Sequence, residues 1–294
     1  MMTATVRAPG SCGELVQGTL DGGNFLITCP VDLYAEVAVT PGASGPSAAG
    51  DKTVAAVLRT WEYLGVARQP FTVAVTSDLP QGKGMASSSA DIAAACQAAA
   101  LAAGRRLTAD EIADIALAIE PTDGIFFPGI VMFDHVRGLT RRPLGSPPPM
   151  SVLVFDAGGI IDTLEFNRRT DLGALNAAKE HDVRRAVDLV SRGLAAGDCA
   201  LIGQAATISA LANQAILAKP ALPDVIAIAH RHGAVGVNTA HSGTVLGILF
   251  PGRPAPAVAE ACRADVVRVC PALRFLRLTS LIPGGLTVTE EGSR

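Results

Sequence analysis

This chain of 294 residues is short of charge, of aromatic rings and of paired cysteines, and each shortage excludes something. Charged residues make up 17% and the formal net charge is −3, with no basic cluster, so nucleic acid is not an expected partner. Hydrophobic residues reach 49% and the mean hydropathy is +0.36, which excludes a disordered chain. Much of that apolar content is alanine. No window approaches the ~18 consecutive apolar residues of a spanning helix, so no membrane partner is expected. Met1-Met2-Thr3-Ala4-Thr5-Val6-Arg7 leads into a strand-like run without a long apolar core. No export signal is therefore expected, and the expected location is cytoplasmic. Six cysteines stand at positions 12, 29, 96, 199, 262 and 270, and none forms a C-x-x-C pair. That argues against a disulfide framework and a clustered zinc site. The thiols are expected reduced, with Cys12 and Cys29 as small apolar fillers. The pair in His230-Arg231-His232 does not share a helix face and reads as a helix end before Gly233.

What is present is enough apolar material for about two domains. Ser146-Pro147-Pro148-Pro149 is the strongest linker signal, giving expected units of 1–146 and 150–294. Alternation predicts strands at 3–7, 25–28, 33–39 and 71–76, with Pro9-Gly10-Ser11-Cys12-Gly13 as a break after the first, Gly18 and the turn Asp21-Gly22-Gly23-Asn24 beyond it and 41–50 as a small-residue loop. Helical spacing covers 51–64, where the lone Trp61 is expected to pack inward. A helix over 86–103 closes at Gly104. Thr108-Ala109-Asp110-Glu111 is a capping box for another, stopped by Pro121 and followed by a strand at 126–134. The second half reads as a strand at 151–156 and helices at 173–196, 198–216 and 222–232. Strands at 234–239 and 244–250 follow, about His241-Ser242-Gly243. A helix at 255–265 and strands at 273–278 and 285–288 finish the chain. Strands and helices mix without strict alternation, so the expected class is α+β.

The segment Leu79-Pro80-Gln81-Gly82-Lys83-Gly84-Met85-Ala86-Ser87-Ser88-Ser89 joins a strand to a long helix through a glycine loop. Glycines let backbone N–H groups approach a ligand, and a helix start adds unpaired N–H groups and partial positive charge. Together they suit phosphate oxygens. Three hydroxyls in the first turn are candidates for phosphate or Mg²⁺. The spacing is not that of a Walker A loop. Ser87 stands where a dinucleotide fingerprint has its third glycine, and the ribose-binding acid is missing. A plain serine-capped helix is the alternative at this point.

Pro80-x-Gly82-x-Gly84-Met85-x-Ser87-Ser88-Ser89-Ala90 resembles the phosphate loop of the GHMP kinases. Ala8-Pro9-Gly10-Ser11-Cys12-Gly13-Glu14-Leu15-Val16-Gln17-Gly18 resembles the first motif of that family, with Ser11 in place of its usual Lys. Residues 233–244 fall where its third motif belongs. The resemblance implies a two-domain fold, an N-terminal ribosomal-protein-S5-like α/β unit and a C-terminal ferredoxin-like α+β unit. It also implies ATP and Mg²⁺. By the same resemblance Pro80, Gln81, Gly82, Lys83, Gly84, Met85, Ala86, Ser87, Ser88 and Ser89 would meet the ATP phosphates. Glu120 would hold the metal with Ser87 and Ser89, and Asp123 would be the base or orienting carboxylate. Glu14, Gln17, Asp32, Ser242 and Thr244 are candidates on the acceptor side; His241 reads as structural. Together with Cys29-Pro30-Val31-Asp32 and Glu120-Pro121-Thr122-Asp123, these motifs look like the L-threonine kinases of cobalamin biosynthesis, which make O-phospho-L-threonine from ATP and free threonine. Other acceptors, such as homoserine or an isoprenoid alcohol, remain open, as does a homodimer. A non-catalytic relative and a nicotinamide-dependent oxidoreductase are the further alternatives. Glu120 and Asp123 argue against the first, and Ser87 with the missing acid against the second.

Overall fold

The computed structural model describes residues 3–42, 49–159 and 169–291; positions 43–48 of the expected small-residue loop lie outside the described residues. Strands β1 (Ala4–Leu20) and β2 (Gly23–Pro41) form one long antiparallel hairpin. Its two-residue turn puts both Asp21 and Gly22 at positive φ, 51° and 76°. That conformation matches the twist of the flanking strands, and Asp-Gly is a favoured pair for it. The expected break at 9–13 is instead part of a continuous strand, with register shifts at Pro9/Gly10, Ser11/Glu14 and Glu14/Val16. Bulges absorb the proline and glycines that a regular ladder rejects. They also free backbone groups: Ser11 N–H donates to Met85 O at 3.0 Å and Gly13 N–H to Gly84 O at 3.1 Å.

Next come α1 (Asp51–Tyr63), β3 (Phe71–Ser77), α2 (Ser87–Ala102) and α3 (Ala109–Leu117). Helix α2 is nearly all small residues and is buried along most of its length, as expected of a helix apolar all round. It packs on β1 and β2 with one side and on α1 and α3 with the other. Trp61 of α1 is fully buried; its Nε1–H donates to Ala99 O at 3.1 Å and its ring meets Phe71 edge-on. The capping box of α3 is formed in both directions between Thr108 and Glu111, an arrangement worth about 0.5–2 kcal/mol. The following strand, β4 (Ile130–Phe133), is shorter than the sequence suggests, because buried Phe126 and Phe127 stack against Phe133 from a turn.

Then follow β5 (Arg141–Gly145), β6 (Met150–Asp156), α4 (Leu172–Ala178), α5 (Glu180–Ala196), α6 (Cys199–Ala212), a single 3₁₀ turn (Asn213–Ala215) and α7 (Leu222–Arg231). The chain ends with β7 (Gly236–Thr239), β8 (Val245–Pro251), α8 (Pro256–Val269), β9 (Arg274–Leu281) and β10 (Thr287–Glu291). The helix expected over 173–196 is broken at Lys179, whose side chain turns inward. His232 and Gly233 close α7, as the sequence suggests. The strands form a ten-stranded sheet in the order β10-β1-β7-β8-β6-β9-β2-β4-β5, with β3 on β2 and an added β1–β2 pairing. The second-half strands β7, β8, β6 and β9 thus sit as a block between β1 and β2 of the first half, joined to them through Glu14↔Thr239 and Val31↔Leu281. All six cysteines are free thiols.

Candidate active site

The loop between β3 and α2 is held from below. Gly84 and Ala86 both take left-handed backbone, at φ 79° and 57°. A Cβ on Gly84 would lie 2.4 Å from Ala240 Cβ, so the loop can rest on the 240–243 turn only as glycine. Thr244 N–H and Val245 N–H both donate to Lys83 O, at 2.9 and 3.2 Å. The residue capping α2 is Ala86, not a serine, and it offers no side-chain acceptor. The N–H groups of the first turn therefore lack the usual capping partner, which favours an anion there.

A cleft of about 560 Å³ opens at this helix start. Gln81, Gly82, Gly84, Met85, Ala86, Ser87, Ser88 and Ser89 line it, as do Glu120, Asp123, Glu14, Gln17 and Ser242. Four other sequence candidates do not. Lys83 Nζ turns away to Asp156 Oδ2 at 2.9 Å and Gly159 O at 2.6 Å, and Pro80 is not part of the lining. Thr244 Oγ donates to Asp156 Oδ1 at 2.6 Å, and Asp32, exposed, accepts from Ser280 N–H at 2.7 Å. Burial pushes the Asp156 carboxyl upward, but Thr244, Lys83 and Gly158 N–H hold it below its ordinary value.

The serines divide differently from the sequence reading, which paired Ser87 and Ser89 with Glu120. Ser88 Oγ donates to Glu120 Oε1, and Lys52 Nζ sits on Glu120 Oε2. Ser89 Oγ meets Asp123, accepting its N–H at 3.0 Å and lying 3.4 Å from Oδ2. Adjacent helical positions are turned by about 100°, so one loop, 120–123, is reached by two neighbouring serines at different points. Ser87, the first helical residue, makes no such contact with either acid. Among the described residues no group of three or more His, Cys, Asp or Glu side chains could hold a metal. A hydroxyl and one carboxylate beside a phosphate site are nevertheless a fit for Mg²⁺, which is usually held by one or two carboxylates plus phosphate and water. The Lys52 ammonium on Glu120 shows that this carboxylate accepts a cation from the cleft side.

Asp123 is pushed up to about 7, first by burial and then by the charge of Glu14, with Ser89 opposing and Glu120 adding. Asp91, also on the cleft wall, is pushed by burial to about 6, and its Oδ1 is buried without a partner. Glu14 is pushed by burial to about 7 against the pull of His241 N–H, Lys219 and Lys179. Its Oε2 accepts His241 N–H at 2.9 Å and lies 3.0 Å from His241 Nδ1. Burial, with Lys179 and Lys219 nearby, holds the His241 imidazole well below its ordinary value. The ring is therefore neutral. Nδ1 faces only acceptors, Glu14 and Thr239 O, so it carries the proton, and Nε2 accepts from Ser209 Oγ at 3.0 Å. His241 is structural, as the sequence suggests. Sequence reasoning missed Lys52, Ser88 as the partner of Glu120, and the buried Lys179 and Lys219. Only the motif order pointed to this region, and none of these four stands out by spacing.

Comparison with known proteins identifies the family. The family model described as the GHMP kinases N terminal domain matches residues 51–127, and that described as GHMP kinases C terminal matches 190–268. The chain belongs to the GHMP kinase family. Within it, the chain is 35% identical over 278 residues to an L-threonine kinase of Salmonella typhimurium, covering 94% of this chain and 89% of that protein. It is 34% identical over 249 residues to an L-threonine kinase of Citrobacter freundii, covering 84% and 86%. A homoserine kinase from Cytophaga hutchinsonii has the same fold, with a TM-score of 0.71 at 18% identity over 98% of each chain.

Proposed function

We propose that this protein transfers the γ-phosphoryl group of ATP to the hydroxyl of free L-threonine, giving O-phospho-L-threonine and ADP, in the cytoplasm and for cobalamin biosynthesis. The observation that supports it most is the convergence of Glu120–Ser88 and Asp123–Ser89 beside the uncapped start of α2. Threonine as acceptor rests on the likeness to L-threonine kinases over most of the chain. The first-turn N–H groups and loop glycines take the phosphates. Asp123, poised near neutrality, takes the hydroxyl proton as the threonine oxygen bonds to phosphorus and the bond to the ADP oxygen breaks. Ser89 holds Asp123 in place. Glu120 and Ser88 would hold Mg²⁺, which when bound offsets phosphate charge. Glu14 and Gln17 face the threonine ammonium. In this reading residues 1–146 are the nucleotide-binding unit and 150–294 the second unit.

The test is incubation with ATP, Mg²⁺ and L-threonine, L-serine or homoserine, followed by phosphorus NMR. A phosphomonoester formed from threonine in preference to the others is expected, and its loss in Asp123→Ala and Glu120→Ala. Phosphorylation of homoserine alone would move the enzyme to a different acceptor, and full activity in both variants would overturn the residue roles.

A further inference from the structure

A second pocket of about 300 Å³ adjoins the cleft and shares Gln17, Pro121 and His135 with its wall. Among the described residues no aspartate or glutamate lines it, and the one charged side chain there is Lys179, set among the amides of Asn24, Asn176 and Asn213. His241, on the same wall, is neutral for the reasons given above, and burial lowers His135 to about 4, so it is neutral too.

Lys179 lies at the break between α4 and α5 and is only 7% exposed. Its ammonium donates to Asn213 Oδ1 at 3.0 Å, and no carboxylate among the described residues lies within ion-pair distance of it. Lys219, 5% exposed, donates to Ala240 O at 2.7 Å and is likewise without an ion pair there. Burial lowers both lysines to about 8, against the pull of the same acid, Glu14, so both are mostly protonated at neutral pH, and the Oε2 of Glu14 is already taken by His241. Two buried cations thus share one carboxylate. An uncompensated buried charge is costly, and a ligand anion removes the cost. A second sign of a missing ligand lies on the shared wall, where Gln17 Oε1 and His135 Nδ1 are buried without hydrogen-bond partners.

We propose that this pocket seats the α-carboxylate of the acceptor and that Lys179 is the side chain that binds it. Gln17 Oε1 and Glu14 then accept from the ammonium, and the hydroxyl points out of the pocket into the cleft that holds Asp123. The inference rests on an amino-acid acceptor and adds the residue that makes it one. A zwitterion with a carboxylate for Lys179, an adjacent ammonium for Gln17 Oε1 and a hydroxyl one or two carbons further on answers these groups. A plain alcohol satisfies none of the cationic ones.

The experiment compares L-threonine with L-threoninamide, which keeps the amine and hydroxyl but carries no negative charge. For the unaltered enzyme kcat/KM is expected to favour threonine by ~10- to 100-fold, the usual range for a hydrogen bond to a charged group. Lys179→Met is expected to raise the KM for threonine by a similar factor with little change in the KM for ATP, and to collapse the preference toward one. Lys179→Arg should retain part of it. Equal kcat/KM for the two compounds in the unaltered enzyme overturns the inference without any variant. So does a threonine KM within ~3-fold of normal in Lys179→Met, a change too small for a lost charged contact. If the unaltered enzyme phosphorylates none of threonine, threoninamide, serine and homoserine, the amino-acid acceptor itself falls, and this inference with it.

Discussion

Gly243→Ala isolates the contact on which the phosphate loop rests. The φ of Gly243 lies outside the left-handed range, so alanine meets no backbone objection and any effect is steric. A Cβ there would stand 2.5 Å from Gly84 Cα, 2.5 Å from Lys83 O and 2.6 Å from Gly84 N. All three are backbone atoms, so no side chain can swing aside. Restoring an ordinary carbon contact of about 3.5–4.0 Å moves the two segments apart by ~1 Å. Overpacking of this kind costs about 1–3 kcal/mol, and three backbone clashes put it near ~3. For a chain of this length that is a fall in Tm of ~5 °C. A ~1 Å shift of a positioning loop also costs on the order of 100-fold in rate. The assay is thermal unfolding together with coupled ADP release at varied ATP. Gly23→Ala is the control, since its Cβ would meet only Leu20 O at 3.4 Å. A Tm and a kcat/KM for ATP indistinguishable from those of the control would refute the reasoning.

Ser88→Ala is expected to cost ~10- to 100-fold in kcat and to raise the Mg²⁺ needed, and to do more harm than Ser87→Ala, because Ser88 holds Glu120. Titration of Mg²⁺ against rate decides it, and a worse Ser87→Ala would restore the original assignment. The acid limb of kcat/KM is expected at about pH 7, where Asp123 gives up its proton, and to move to lower pH in Glu14→Gln, since Glu14 is the second cause raising Asp123. An unmoved limb removes Asp123 as the base. Asp123 titrates higher folded than unfolded, so its charged form destabilises the fold as pH rises through about 7. Asp123→Asn should therefore raise Tm most above pH 7, with the gain shrinking as pH falls and gone below about 4, where the unfolded carboxyl is protonated too. A gain that is the same at both pH values would show that the charge is not the cause. Thiol labelling of the native protein should begin at partly exposed Cys199, while Cys12, Cys29 and Cys96, all buried and with Cys12 and Cys96 pushed up to about 12, react only on unfolding.

Much of this molecule was legible from residue pattern. The helical spacing of 51–64, the capping box at Thr108 and the Ala-rich run before Gly104 appear within a residue or two of where they were read. Those signals are local. The stretch at 9–13 was misread because proline and glycine usually end strands; here they occupy bulges that give up ladder bonds to the phosphate loop, a partner about seventy residues away. Lys83 was misjudged for a similar reason. Its neighbours in sequence are glycines, but its charge is claimed by Asp156 at the end of β6. Ser88 was passed over on helical phase alone, and phase says nothing of where the 120–123 loop returns. Lys179 was invisible. A lysine inside an amphipathic helical run reads as solvated until the fold shows that the helix breaks and the side chain turns in.

The Lys52 ammonium neutralises Glu120 in the resting cleft. If Glu120 and Ser88 hold Mg²⁺ as proposed, an ion arriving alone would have to displace this tethered competitor. An ion escorted by a triphosphate would offer Lys52 a new anion in the same step. The lysine would then act as a placeholder that gives up its seat to a cation travelling with its nucleotide.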